Sequence, residues 1–198
     1  MLLSCTDADL LAGNFMADFI TNKDKKLLDK RAFLTLGVDP NIMQGIELHK
    51  KIDRFTDEHD EVRAAIRLLH PTQGKYAPVT TDILFDHFLT IHWARYSPEN
   101  IHTFTERTYT MLESKKDIFP LKLREKLPLM IADDFLMSCK NEERLRKTFD
   151  RVGKRANFNN NFDKAHEDLR THFTKLEQHF MAFFPELLIH IDPFCACN

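Results

Sequence analysis

Five glycines in 198 residues constrain this chain more than any other feature. Turn-rich β architectures need glycine for tight turns, so a chain this poor in it reads as long helices with brief connections. Seventeen phenylalanines against three tyrosines and one tryptophan fit apolar packing of helix on helix. With 43% hydrophobic and 29% charged residues, the chain is long enough to bury a core. The expectation is an all-α helical bundle forming a single domain over residues 1–198.

Charge narrows the partners. Twenty-eight Lys and Arg face thirty Asp and Glu, a formal net charge of −2. That excludes a uniformly basic nucleic-acid binder, and no nucleic-acid partner is expected. No apolar run approaches the ~18 residues of a membrane span, so no membrane partner is expected. The start, Met1-Leu2-Leu3-Ser4-Cys5-Thr6-Asp7, has no basic stretch and does not read as a signal peptide. Cys5, Cys139, Cys195 and Cys197 read as reduced thiols. Cys195 and Cys197 are too close for an easy disulfide and lack the second pair that a zinc site wants. These features point to a cytoplasmic protein.

Thr6-x-x-Asp9 reads as a capping box opening a helix over 7–20. Residues 22–36 are mixed and basic. Asp39-Pro40 is a helix start, an acidic cap followed by proline at the first helical position. Helical spacing continues over 60–69. Residues 70–79 hold two prolines and a glycine and read as a loop, after which Thr80 or Thr81 caps a helix to about residue 96. Further helices are expected near 98–113, 128–138, 141–153 and 160–183.

Two helices carry polar residues where apolar ones belong. His49, Asp53 and Asp57 recur every four residues, each step rotating only ~40° and rising ~6 Å, so they share one stripe beside Ile46 and Ile52. Asp82 and Asp86 repeat this spacing among Ile83, Leu84, Phe85, Phe88 and Leu89, with His87 adjoining. Such a mixture is costly to bury without a partner, and a divalent cation is one. Imidazole with carboxylate suits manganese, iron or zinc. A plainer reading also fits: a core histidine bonded to a carbonyl, and ion pairs of Asp53 and Asp57 with Lys50 or Arg54. His59-Asp60 reads as a solvated cap. The stretch 144–155 holds six basic residues and one acid. It is either a charged helix surface, or a docking site for something acidic with a phosphate clamp at Arg151 or Arg155.

Three segments, Gly13 to Phe19, Gly45 to Asp57, and Tyr76 through Trp93, together with Phe183-Phe184-Pro185-Glu186-Leu187, resemble the acyl carrier protein phosphodiesterase family. The resemblance runs in order over roughly residues 10–187. It implies an all-helical fold like a divergent HD-type metal-dependent phosphohydrolase, although the order Asp86-His87 reverses the usual His-Asp dyad. It implies hydrolysis of the phosphodiester joining 4′-phosphopantetheine to a serine of acyl carrier protein. The implied cofactor is a divalent metal, manganese first, with magnesium or iron as alternatives. Family members usually begin with Asn-Phe/Tyr-Leu-Ala-His. This chain starts where that segment should be ending, so the resemblance implies either a start further upstream or the lack of one possible metal ligand.

Carried onto these positions, the resemblance makes Asp18, His49, Asp53, Asp86 and His87 the expected metal ligands. Gly13-Asn14 would place Asp18 by letting helices approach closely. Asp86, His87, Asp53 and Asp57 are the expected catalytic groups, with Asp57 and Asp82 orienting imidazoles or serving a second ion. Lys50, Arg54, Lys75, Tyr76, Arg151 and Arg155 are the expected substrate contacts, the carrier protein being acidic. Two other functions share these residues: a metal phosphohydrolase of nucleotides or other small phosphodiesters, and a non-catalytic module that binds carrier protein.

Overall fold

The computed structural model describes residues 7–20 and 39–194. The readings of Thr6, Cys5, Cys195, Cys197 and the 22–36 segment lie outside these residues. Among the described residues there are helices and no strand, as an all-α chain requires. No helix among them is long and apolar enough to cross a membrane.

The helices, in chain order, are α1 (Ala8–Met16), α2 (Pro40–Glu58), α3 (Asp60–Gln73), α4 (Ala77–Ile91), α5 (Trp93–Tyr96), α6 (Ile101–Ser114), α7 (Leu121–Ala132), α8 (Glu142–Arg155) and α9 (Ala165–Ile191). The chain divides into two units. The first takes residues 1–54, 106–132 and 188–198, and the second takes 55–105 and 133–187. Three of the four divisions fall inside α2, α6 and α9, and the fourth falls at the end of α7.

In the first unit, Asp7 caps α1, its carboxylate accepting from the N–H groups of Asp9 at 2.8 Å and Leu10 at 2.9 Å. The cap is thus Asp7, whose short side chain reaches both amides. Leu10, Leu11 and Met16 of α1 and Ile42, Ile46 and Leu48 of α2 are buried. The two helices touch at glycines. A Cβ on Gly13 would overlap the Ile42 carbonyl, and one on Gly45 would overlap the Leu10 carbonyl. Asp39 caps α2 through the Asn41 N–H, with Pro40 at its first position as expected.

In the second unit, Phe85, Phe88, Phe180, Phe183, Phe184 and Tyr96 form a continuous aromatic core, with neighbouring ring centroids 4.8–6.0 Å apart. A buried Asp168 accepts hydrogen bonds from Thr72 at 2.8 Å and Gln73 at 2.6 Å, satisfying its charge and tying the end of α3 to α9.

Several boundaries depart from the sequence reading, and proline explains most of them. Residues 70–79 are no loop. Helix α3 continues through Pro71, held by Asp168, until Gly74 at φ 54° ends it. One 3-10 turn follows, and α4 begins at Ala77 with Pro78 in its first turn, where no amide is needed. Thr80 and Thr81 are therefore not caps. They lie buried, bonding back to the carbonyls of Tyr76 and Ala77. Helix α7 starts at Leu121, with Pro128 inside it. Helix α9 runs through Pro185 to Ile191, because Phe183, Phe184 and Leu187 are buried and outweigh one missing hydrogen bond.

Candidate functional site

The close crossing at Gly13 and Gly45 sets up the first cluster. One turn beyond each glycine's contact stand Asp18, in the 3-10 turn Ala17–Phe19, and His49, on α2. His49 Nε2 lies 3.1 Å from Asp18 Oδ1 and 3.3 Å from Asp53 Oδ2. The imidazole is 19% exposed, while Asp18 at 73% and Asp53 at 59% reach solvent. The bond to Asp18 raises the His49 pKa above its usual range, against a smaller opposing effect of burial, and the same bond lowers the Asp18 carboxyl. Both effects favour an imidazolium between two carboxylates. Asn14, on the same helix as the Gly13 contact, is buried, and its Nδ2 has no hydrogen-bond partner among the described residues.

The second cluster belongs to the second unit and sits on α4. His87 is buried, with Nδ1 2.7 Å from the Cys139 carbonyl oxygen. A carbonyl only accepts, so Nδ1 carries the proton and Nε2 is the nitrogen left for a base or a ligand. Asp86 is exposed at its surface yet crowded by protein, and the resulting loss of water pushes its carboxyl up to about 6. Cys139 is buried, which pushes its thiol to about 12, with the nearby Asp86 charge adding to the effect. That thiol is no nucleophile.

Three expected ligands, Asp18, His49 and Asp53, are thus brought together, and the other two, Asp86 and His87, belong to the second unit. Asp57 and Asp82 are exposed. Among the described residues, no three of His, Cys, Asp and Glu are placed to hold a metal ion. The donor types of the first cluster, one imidazole nitrogen and two carboxylates, do suit a divalent cation. Their present arrangement is an ion pair.

The expected substrate contacts are mostly occupied. Lys50 pairs with Glu47 at 2.6 Å. Arg151 forms a two-pronged pair with Asp133, and Arg144 donates to the carbonyls of Asp133 and Asp134. Lys75 lies 3.3 Å above the Phe158 ring, and Tyr76 packs on Phe162. Arg54 and Arg155 are exposed. His59 is indeed a cap, accepting from the Glu61 N–H at the start of α3, but it is not solvated: its side chain is only 11% exposed and pairs with Glu186 at 3.2 Å. A cavity of about 490 Å³ beside it is lined by Phe55, Glu58, His59, Asp60, Glu61 and Glu186. Four carboxylates there repel an anionic phosphodiester.

The acyl carrier protein phosphodiesterase family model matches residues 1–187. The chain belongs to that family. It is therefore a phosphodiesterase, a hydrolase. Among its relatives, the acyl carrier protein phosphodiesterase of Enterobacter sp. (strain 638) is 26% identical over 180 residues, covering 90% of this chain and 88% of that one. The protein of that name from Escherichia coli O6:H1 is 26% identical over 183 residues, with the same coverage. That from Salmonella paratyphi A is 24% identical over 179 residues. No solved structure matches the chain significantly.

Proposed function

We propose that this chain hydrolyses the phosphodiester joining 4′-phosphopantetheine to a serine of acyl carrier protein, giving apo-carrier protein and 4′-phosphopantetheine. Family membership across residues 1–187 carries the reading, and relatives of that name covering 90% of the chain support it.

The reading includes a divalent metal, manganese first, with Asp18, His49 and Asp53 as the residues that would hold it. When bound, such an ion supplies positive charge that polarises a phosphoryl group and acidifies water. Among the described residues these side chains form an ion pair in place of a ligand set. Asp53 on α2 holds His49 from within the same helix, so the imidazole keeps one carboxylate even when Asp18 releases it. In the second unit, crowding by protein pushes the Asp86 carboxyl up to about 6, which would suit it to protonate a leaving serine oxygen. His87, oriented by the Cys139 carbonyl, offers Nε2 as a base.

Mass analysis of holo-carrier protein after incubation is the direct test. Loss of the whole phosphopantetheine arm is expected, and intact holo-protein would overturn the reading. Chelation should abolish this activity and added manganese restore it; full activity in chelator would remove the metal. His49→Ala should lose stoichiometric metal in elemental analysis while keeping its helical circular dichroism.

A further inference from the structure

Helix α8, the basic stretch that the sequence offers as a docking surface, spends much of its charge internally. Arg144 and Arg151 hold the 133–134 turn, and Lys147 pairs with Glu143 at 2.7 Å. Helix α7 is different. Its outward face carries Leu121 at 68% exposure and Leu129 at 73%, two turns apart, with Ile118 also exposed just ahead of it. Leu123 and Leu127 hold the opposite face in the core, so the outward leucines are an addition to the helix's own packing needs. Lys116, Lys122 and Lys126 beside them are exposed and have no ion-pair partner among the described residues.

Over 116–130 there are four cations against two acids, an excess of two positive charges in a chain whose formal charge is −2. Arg124 is held at the carbonyls of Asp117 and Phe119, and Glu125 is the one acid on the outward face. Exposed leucines ringed by unpaired lysines are complementary to an acidic surface with apolar hollows. The position adds to the argument. Phe119, at the foot of α7, packs on Phe15 of α1 at 6.3 Å, and Phe15 packs on Phe19 at 6.1 Å, next to Asp18. Lys115 reaches Asp9 of α1 at 2.6 Å. All of these belong to the first unit, so α7 is braced against the helix that leads to the His49 cluster.

We propose that the outward face of α7 is where an acidic face of the carrier-protein substrate docks, with Leu121 and Leu129 as apolar anchors and Lys116, Lys122 and Lys126 as the steering charges. This deepens the functional reading above and rests on it for the identity of the partner.

The test is the double variant K122E/K126E together with L129A. Binding of holo-carrier protein, measured calorimetrically at low salt, should weaken about tenfold or more in the charge-reversed variant, with the wild-type salt dependence largely lost. KM for holo-carrier protein should rise in parallel. Hydrolysis of bis(p-nitrophenyl) phosphate, which has no protein face to dock, should not change. L129A should weaken binding without altering its salt dependence. Unchanged binding in both variants would overturn the proposal. So would light scattering that shows the wild type as a dimer and K122E/K126E as a monomer, since the face would then cover a second copy. Binding of the wild type to anionic vesicles but not to carrier protein would overturn it too. Wild-type protein that binds carrier protein through this face yet releases no phosphopantetheine would sink the reaction and leave the docking surface standing.

Discussion

Gly45→Ala measures how tightly the first unit is built around its cluster. In an ordinary helix interior this change stabilises by about 1 kcal/mol, because alanine has less backbone freedom to lose. Gly45 lies inside α2, so that gain is available. Against it, the new methyl would sit on the Leu10 carbonyl and 2.7 Å from the Asn14 nitrogen, where ordinary contact begins at 3.4 Å. Both obstacles are backbone, so no rotamer change relieves them. Helix α1 must move by more than the 0.7 Å between those two distances, because the Leu10 carbonyl is nearer still. Overpacking of this kind costs about 1–3 kcal/mol, and a clash with rigid backbone belongs at the upper end. The net expectation is a loss of roughly 1–2 kcal/mol, once the helix-propensity gain is subtracted.

Displacing α1 draws Asp18 away from His49 and lengthens their 3.1 Å bond, while Asp53, on the same helix as His49, stays in place. Urea unfolding followed by helical circular dichroism reads the stability. The imidazole resonances read the pKa of His49, which should fall toward that of an ordinary histidine but keep the part due to Asp53. A Gly45→Ala protein about 1 kcal/mol more stable than wild type, with the His49 titration unmoved, would refute the close crossing and its control of the cluster.

Asp18→Asn should lower the His49 pKa, read by NMR titration. Because the folded pKa of His49 is raised, the stability it contributes is fully present below its unfolded value of 6.5 and is lost as pH rises through the folded value; the Asn variant should show a smaller slope, since Asp53 remains. Asp86 runs the other way. Its folded carboxyl is raised from 3.8 to about 6, so ionising it opposes folding, and Asp86→Asn should gain on wild type in urea midpoint as pH climbs from 4 to 7. Turnover of wild type should show a limb near pH 6 that Asp86→Asn lacks, and an unchanged profile would free Asp86 from the chemistry. In a C5S/C195S/C197S protein, Cys139 should not react with a thiol reagent until the chain unfolds, since burial holds its thiol at about 12; prompt reaction of the native protein would contradict that burial.

The reading from sequence reached the helical class because its evidence is local. Helical spacing, caps and scarce glycine act within a turn or two, and Asp39-Pro40 opens a helix as expected. It failed at prolines. The sequence reading puts Pro71 and Pro78 in a loop, opens a helix at Pro128 and ends one before Pro185, yet each proline sits in a helix whose neighbouring side chains are anchored elsewhere in the chain. The pairing of His49 with Asp53 was legible as an i,i+4 step, and that of His49 with Asp18 came only from family likeness, because 31 residues separate them. Spacing offered Lys50 an ion pair, with Asp53 or Asp57 and not with the Glu47 it takes. Neither spacing nor likeness indicated that Arg151 is paired with Asp133, or that exposed leucines and lysines without an ion-pair partner among the described residues lie on and just ahead of α7.

By itself, then, the sequence determined that this chain is helical, which faces of its helices are apolar, and which residue types stand ready for phosphodiester chemistry. Only the tertiary structure decided what each charge is doing. Asp133 lies 18 residues from Arg151, and Cys139 lies 52 from His87. A carboxyl's ionisation depends on all the protein that crowds it, so the apolar residues beside Asp86 in sequence mark it as unusual, and only the folded chain decides its rise to about 6. Periodicity is a property of neighbours along the chain, whereas ionisation, pairing and availability for a partner are properties of neighbours in space.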